Sequence, residues 1–244
     1  MEYNYIAFSL WGDKEIYTTG AIRNAELAAE IYAGWKVIIY YDHTVPTAIV
    51  EKLSTLNVIL INMTDSGIFG AFWRFTAVNI PDSKYIIFRD TDSRLSMREK
   101  LAVEEWMRTD HLIHVMRDHP AHFIPYGADG LSILAGMWGA KSGSIEMAEE
   151  IKKFCAGKED YYGIDQAFLQ LIYTKFKNSM SVHDEFFDRI NFPSKRVGYR
   201  FIGERIDEHE LPSGEDWKEI RRYNKEHHPS LFRRIKTFVK QTFK

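Results

Sequence analysis

The feature that most limits what this chain can fold into is the alternation of short apolar runs with amphipathic ones over its first 120 residues. Tyr5–Leu10, Lys36–Tyr41, Asn57–Ile61 and Lys84–Phe88 are strand-length and rich in β-branched or aromatic residues. Between the first two, Ala21, Ala25, Ala28, Ala29 and Tyr32 recur at three and four, which predicts a helix over Gly20–Tyr32 with Gly34 as its C-cap. Pro46–Leu53 suits a helix with proline in its first turn. Phe69–Asn79 reads as a helix that stops before Pro81. Ser96–Arg108 is an amphipathic helix with Ser96 as N-cap and Glu99 at the capping-box position. Strands and helices alternating at this spacing predict an α/β fold, with a mainly parallel sheet covered on both faces. In such sheets ligands bind beyond the carboxyl ends of the strands.

The second half is less regular. Leu112–Met116, Ser132–Trp138, Met180–His183 and Tyr199–Ile202 read as short strands, and Ser144–Phe154 and Asp165–Phe176 as helices. His119–Gly130, with two prolines and two glycines, reads as a loop. No linker separates the halves, so 244 residues with 45% hydrophobic content read as one domain over residues 1–212, followed by an appendage over 213–244.

Composition removes several function classes. The single cysteine, Cys155, leaves no internal disulfide framework and no Cys-cluster zinc site. That fits a reducing compartment such as the cytoplasm. No apolar run approaches the roughly 18 residues of a spanning helix, and Met1–Leu10 lacks the marks of a signal peptide. A net charge of −2 argues against a nucleic-acid partner. That charge is a composite. Residues 213–244 carry nine Lys and Arg against four Asp and Glu, a net +5, which leaves −7 on the rest. In Leu231–Lys244, Leu231, Phe232, Ile235, Phe238 and Val239 share one helical face, and five basic residues have no acid among them. This predicts a basic amphipathic helix that lies peripherally on an anionic membrane surface.

Two carboxylates, Asp90 and Asp92, follow the apolar strand Tyr85–Phe88 at the predicted carboxyl edge. Acids two apart at a strand-to-turn junction can converge on one hard divalent cation, which then keeps sites for water and substrate phosphates. The bland alternative is a solvated turn that caps the next helix.

Other segments stand in order around this pair. The arrangement resembles nucleotide-sugar glycosyltransferases of the A-type (GT-A) fold, whose signature is an Asp-x-Asp after a strand of a Rossmann-like sheet. Phe72–Trp73–Arg74 resembles the aromatic–Arg helix of the family 8 relatives. Leu134–Gly139 resembles their glycine-rich loop, Gly163–Gln166 their acidic motif near the acceptor, and His183 their late metal-binding histidine. Ile164–Asp165 stands where a Glu–Asp pair is usual, and the surroundings of His183 are not glycine-rich. His114–His122 looks characteristic of a bacterial or viral subgroup linked to surface polysaccharides.

The resemblance implies Mn²⁺ or Mg²⁺ as cofactor, a nucleotide-sugar donor and a glycan or lipid-linked acceptor. Asp92 and His183 then serve as metal ligands, and Asp90 binds the metal or the donor ribose. Asp165 takes the proton of the acceptor hydroxyl or orients the acceptor, with Gln166 beside it. Arg74 pairs with the diphosphate or braces Asp90, and Arg89 does similar work. Leu10, Trp11, Asp42 and Thr91 fall on the donor side, with Trp11 and Asp42 near base or ribose. Gly136 and Gly139 let backbone approach the sugar, and Trp73, Trp138 and Tyr162 are candidates to stack on sugar or base. Arg117, Asp118 and His119 are read as sugar or phosphate contacts. Two rivals remain at this stage. One is a metal-dependent nucleotidyltransferase, for which Ser9–Lys14 is glycine-poor. The other is a non-catalytic sugar- or membrane-binding protein on a degenerate transferase fold.

Overall fold

The computed structural model describes residues 2–122, 133–188 and 190–227. The segment Leu231–Lys244, with its expected helix, and residues 123–132 of the expected loop and strand lie outside these. Seven strands form one sheet: β1 (Tyr3–Leu10), β2 (Lys36–Tyr41), β3 (Val58–Asn62), β4 (Ser83–Arg89), β5 (Ile113–Arg117), β6 (Trp138–Lys141) and β7 (Met180–Asp184). Their spatial order is β3-β2-β1-β4-β6-β5-β7. All pairings are parallel except those of β6, which runs against both β4 and β5. The expected mixed, mainly parallel sheet flanked by helices is therefore what the chain forms.

The helices are α1 (Glu15–Ile31), α2 (Thr47–Ser54), α3 (Gly70–Trp73), α4 (Met97–Met107), α5 (Met147–Cys155), α6 (Ile164–Phe176) and α7 (Trp217–His227). Strand alternation sorts side chains into two cores. Tyr5, Ala7, Ile86 and Phe88 join Phe72, Phe75, Trp138 and Phe168 on one face. Ile6, Phe8, Leu10 and Ile87 join Ala21, Ala25, Ala28 and Trp106 on the other. Burial on both faces is what makes these strands read as continuous apolar runs.

Three expectations shift. The helix predicted over Phe69–Asn79 is α3 followed by a 3₁₀ segment, Arg74–Asn79. The Arg74 N–H donates to Ser9 Oγ at 3.0 Å, outside the helical ladder, which tightens the chain at that point. The strand expected to end at Trp138 instead begins there, because Leu134–Met137 closes a turn with Met137 N–H on the Leu134 carbonyl. Tyr199–Ile202 forms no strand, and the Ile202 N–H is satisfied at 3.0 Å by the buried carboxylate of Asp118.

That carboxylate belongs to an internal charge network. Asp118 accepts from Arg98 at 2.9 and 3.0 Å and from Arg196 at 2.6 Å, while Glu185 also receives both arginines. Arg117 donates to Asp184 at 2.6 Å and to Asp188 at 2.8 Å. This network ties β5, β7 and α4 to the irregular segment 185–202, whose described residues meet the sheet through one bridge, Ile190 to Asp184. α7 docks beside it through fully buried Ile220 and a Tyr223–Phe186 ring contact.

Under the far edge, His114 is fully buried, stacks on Trp106 and sits with its Nε2 2.9 Å from His183 Nδ1. Burial, then the neighbouring His183, holds its imidazole well below the ordinary histidine value of 6.5. The unfolded chain takes up this proton below about pH 6.5, whereas the folded chain resists it, so the buried imidazole costs more stability as pH falls. We expect His114→Phe to make the stability-versus-pH slope between pH 7 and 5 shallower than wild type by up to ~1.4 kcal/mol per pH unit. Urea unfolding at three pH values checks this; parallel curves would refute it.

Candidate active site

The chain order runs outward from β1 to β2 and β3, then returns to place β4 on the other side of β1. The sheet's topological switch point is therefore the crevice at the carboxyl ends of β1 and β4. Leu10–Trp11 leave one strand there and Asp90–Thr91–Asp92 leave the other.

The acidic turn is gripped from several sides. A Cβ on Gly20 of α1 would overlap the Thr91 carbonyl oxygen, so α1 lies directly on the turn. One helical turn later, buried Asn24 donates to the Thr91 and Ser93 carbonyls at 3.3 and 2.8 Å and accepts from Leu95 N–H at 3.0 Å. A glycine inside a helix costs about 1 kcal/mol against alanine, and this close approach is its reason. On the other side, a Cβ on Gly136 would overlap the Asp90 carboxylate. The Asp92 carbonyl accepts from Ile206 N–H at 2.7 Å.

Arg74, only 5% exposed, pairs with Asp90, donates to the Arg89 carbonyl at 3.2 Å and reaches Asp165 Oδ2 at 3.4 Å. Of the two roles the sequence leaves open for it, Arg74 braces Asp90, and it binds Asp165 as well. Burial lifts the Asp165 carboxyl above its ordinary range, Arg74 opposes that, and Asp90 adds to it. Asp165 opens α6 and accepts from Gln166 N–H at 3.0 Å, while the buried Gln166 Oε1 has no hydrogen-bond partner. Asp92 is pushed up to about 6, first by burial and then by Asp90, against the pull of Arg205 at 3.3 Å. Asp90, Asp92 and Asp165 set three carboxylates against two guanidinium groups, Arg74 and Arg205, an excess of negative charge that a divalent cation would relieve.

At the carboxyl ends of β1 and β2 lies a cleft of about 330 Å³ lined by Trp11, Asp42, Phe69, Trp73 and Asp160 among others. Trp11 is 42% exposed and meets Phe69 and Trp73 at ring-centroid distances of 6.1 and 6.0 Å. Gly12 N–H donates to Thr44 Oγ1 at 2.7 Å and Thr44 N–H to Asp42 Oδ1 at 3.0 Å, which ties the ends of β1 and β2 into one rim.

Several predicted site residues are used elsewhere. His183 is on β7, three strand positions from β4, roughly 14 Å across the sheet. Its ring is engaged with His114 and lies 3.8 Å from Glu105. Among the described residues no three His, Cys, Asp or Glu side chains group to hold a metal ion. Arg89 points into the protein, where it donates to Glu99 at 3.2 Å and to the Phe88 and Trp138 carbonyls. Trp138 is fully buried against Phe88 and Phe75, so its ring is core. A Cβ on Gly139 would lie 2.8 Å from the Ile86 carbonyl, so this glycine serves close strand packing. Leu10 is core, and Thr91 offers its carbonyl to Asn24 and Arg94. Arg117 and Asp118 are spent in the charge network, and His119 Nε2 lies 2.9 Å from the Asp216 carbonyl. Tyr162 is wholly exposed.

Sequence reasoning missed Gly20, Asn24, Tyr17, Asp160 and Arg205. The Tyr17 phenol is raised by burial and then by the charge of Asp92. An asparagine and a glycine four apart on the buried side of α1 were the only local signal. Arg205 stands 113 positions from Asp92, and nothing in its own neighbourhood marks it.

No protein-family model and no curated protein matches the sequence. Solved structures with similar folds include 4-diphosphocytidyl-2C-methyl-D-erythritol synthase from Anaerococcus prevotii, at 7% identity over 80% of this chain and 94% of that one, with a TM-score of 0.48. Mouse xyloside xylosyltransferase 1 matches at 13% identity over 76% and 86% of the two chains, with a TM-score of 0.44. Glucosyl-3-phosphoglycerate synthase from Mycobacterium tuberculosis, solved with Mn²⁺, UDP and phosphoglyceric acid, matches at 9% identity over 80% and 71%, with a TM-score of 0.48.

The contact between Gly136 and Asp90 sets an expected outcome. Gly136→Ala should force the carboxylate off Arg74 and lower stability by about 1–3 kcal/mol. Urea unfolding of the variant checks this; a wild-type midpoint would contradict the packing described.

Proposed function

We propose that this chain is a metal-dependent glycosyltransferase of the GT-A fold, moving a sugar from a nucleotide-diphosphate donor to a glycan or lipid-linked acceptor. One observation carries the reading. At the switch-point crevice, a single buried guanidinium, Arg74, joins the Asp90–Asp92 turn to Asp165. Asp90 and Asp92 are the residues that would hold the cation, and two carboxylates with the remaining positions left to water and phosphate oxygens suit Mg²⁺ or Mn²⁺. Such an ion supplies electrostatic neutralisation of the departing diphosphate.

The chain's own groups divide the other tasks. Arg74 fixes Asp90 and spaces it from Asp165, so orientation is set before substrate arrives. Asp165, with its carboxyl lifted by burial, is placed to accept the proton of an acceptor hydroxyl or to hold that hydroxyl in line. The unpartnered Gln166 Oε1 can receive a second acceptor hydroxyl, which would explain a buried acceptor atom that the fold leaves unsatisfied. Trp11 and Trp73 give the cleft an aromatic wall for the flat part of the donor, and Asp42 stands at its rim. Gly136 keeps the space over Asp90 free of side chain.

No described helix is long and apolar enough to cross a membrane. We place the enzyme peripherally on an anionic surface, in surface-polysaccharide synthesis. The support is the basic, amphipathic run 231–244 and the exposed Lys218, Arg221 and Arg222 on α7.

Three outcomes are expected. In a thermal-shift panel of nucleoside diphosphates and nucleotide sugars, at least one ligand should stabilise the wild type in Mn²⁺ and lose most of its effect in chelator. Asp92→Asn should lose at least tenfold in that metal-dependent affinity and in donor hydrolysis; full binding and turnover in chelator would sink the reading. Deleting residues 231–244 should release the protein from phosphatidylserine-containing vesicles in a flotation assay, and unchanged flotation would refute the membrane placement.

A further inference from the structure

Among the described residues the cation paired with Asp92 is Arg205, at 3.3 Å, and its side chain is 59% exposed, against 6% for Arg74 on Asp90. Its backbone, by contrast, is fixed. Ile206 is 2% exposed and donates its N–H to the Asp92 carbonyl at 2.7 Å. Ser213 N–H donates to the Arg205 carbonyl at 2.9 Å, closing a small loop by an Ile206–Pro212 bridge. Inside that loop, Asp207 Oδ1 accepts from His209 and Leu211 N–H. Arg94, anchored on the Thr91 and Ser93 carbonyls, clamps the same loop through the Asp207 carbonyl and Glu210. The acidic turn and the loop that carries Arg205 are thus one rigid piece, with a long flexible cation projecting from it.

We propose that Arg205 is an exchangeable counter-cation of the acidic turn: it yields Asp92 to the divalent cation and swings to the donor's diphosphate. This rests on the proposed metal and donor reading of the same site. The physical argument is competition followed by reuse. Asp92 Oδ2 cannot serve a guanidinium and a divalent ion at once without placing two cations side by side. Metal binding alone therefore has to displace Arg205 and leave it near a like charge. When a diphosphate arrives with the metal, the displaced guanidinium gains a planar, two-oxygen partner of opposite sign within reach of a fixed Cα. Arg205 then couples the two ligands: it opposes the metal alone and favours metal with diphosphate. An arginine suits this use because its fork matches phosphate geometry and keeps its charge throughout.

The test is binding, with fold retention checked by circular dichroism. Free Mn²⁺ is titrated by electron paramagnetic resonance against wild type, Arg205→Ala and Arg205→Lys without nucleotide. The best nucleoside diphosphate from the panel above is then titrated calorimetrically at saturating Mn²⁺. Arg205→Ala should bind Mn²⁺ alone about threefold more tightly, as expected for loss of a partly exposed ion pair, and the Mn²⁺-bound diphosphate about tenfold more weakly. Arg205→Lys should restore the wild-type Mn²⁺ affinity, through charge, but only part of the diphosphate affinity, for want of the fork. Equal or weaker Mn²⁺ binding by Arg205→Ala, or unchanged diphosphate affinity, overturns the proposal while leaving the site reading intact. If wild type and Arg205→Ala alike bind no Mn²⁺, with or without diphosphate, the reading of Asp90 and Asp92 falls and takes the proposal with it.

Discussion

A guanidinium 5% exposed needs charged and polar acceptors around it, and the arrangement of this site follows from how Arg74 finds them through both terminal nitrogens, while its buried Nε has no hydrogen-bond partner. It takes Asp90 from the end of β4, Asp165 from the start of α6 and the Arg89 carbonyl between them. Its own N–H is drawn to Ser9 at the end of β1. Four segments are thereby fixed about one residue. Pairing both acids to the same cation sets the spacing between the end of β4 and the start of α6.

A second set of buried charges does a different task. Arg98, Arg117 and Arg196 meet Asp118, Asp184, Glu185 and Asp188 at the outer half of the sheet. Segment 185–202 has little backbone pairing to hold it, and carboxylates accepting from arginines and from the Ile202 N–H take the place of a sheet edge. Removing Arg117 would leave the fully buried Asp184 without its cation, which costs on the order of 3–5 kcal/mol. Through this brace the chain reaches Gly203 and the loop beyond it in a set position over the acidic turn.

What was legible in the sequence follows from how local each signal is. Strands buried on both faces leave unbroken apolar runs, so β1, β2 and β4 appear close to their true ends. Ser96 and Glu99 marked the start of α4, where the Glu99 N–H does bond to Ser96 Oγ. The acidic pair was readable because strand, turn and acid are contiguous. Charged residues were misread for the opposite reason. Arg89, Arg117, Asp118 and His119 look like ligand contacts in one dimension because a buried ion pair and a binding site use the same side chains. Only the partners, 10 to 97 residues away, separate the two uses. Trp138 was misassigned because an apolar run does not reveal whether its final tryptophan ends a strand or begins one. Arg205 and Asn24 were invisible, since each acts only through contacts formed once the sheet has closed.

The reversed direction of β6 has a consequence for how such a crevice is assembled. In a purely parallel sheet only the segments that leave strands can reach the carboxyl edge. β6 runs the other way, so the segment that enters it, Leu134–Met137, arrives at that edge as well. Gly136 comes to Asp90 by this route. The crevice is therefore walled by outgoing chain on one flank and incoming chain on another. Length changes ahead of β6 can remodel one wall while the register of every strand beneath it stays as it is.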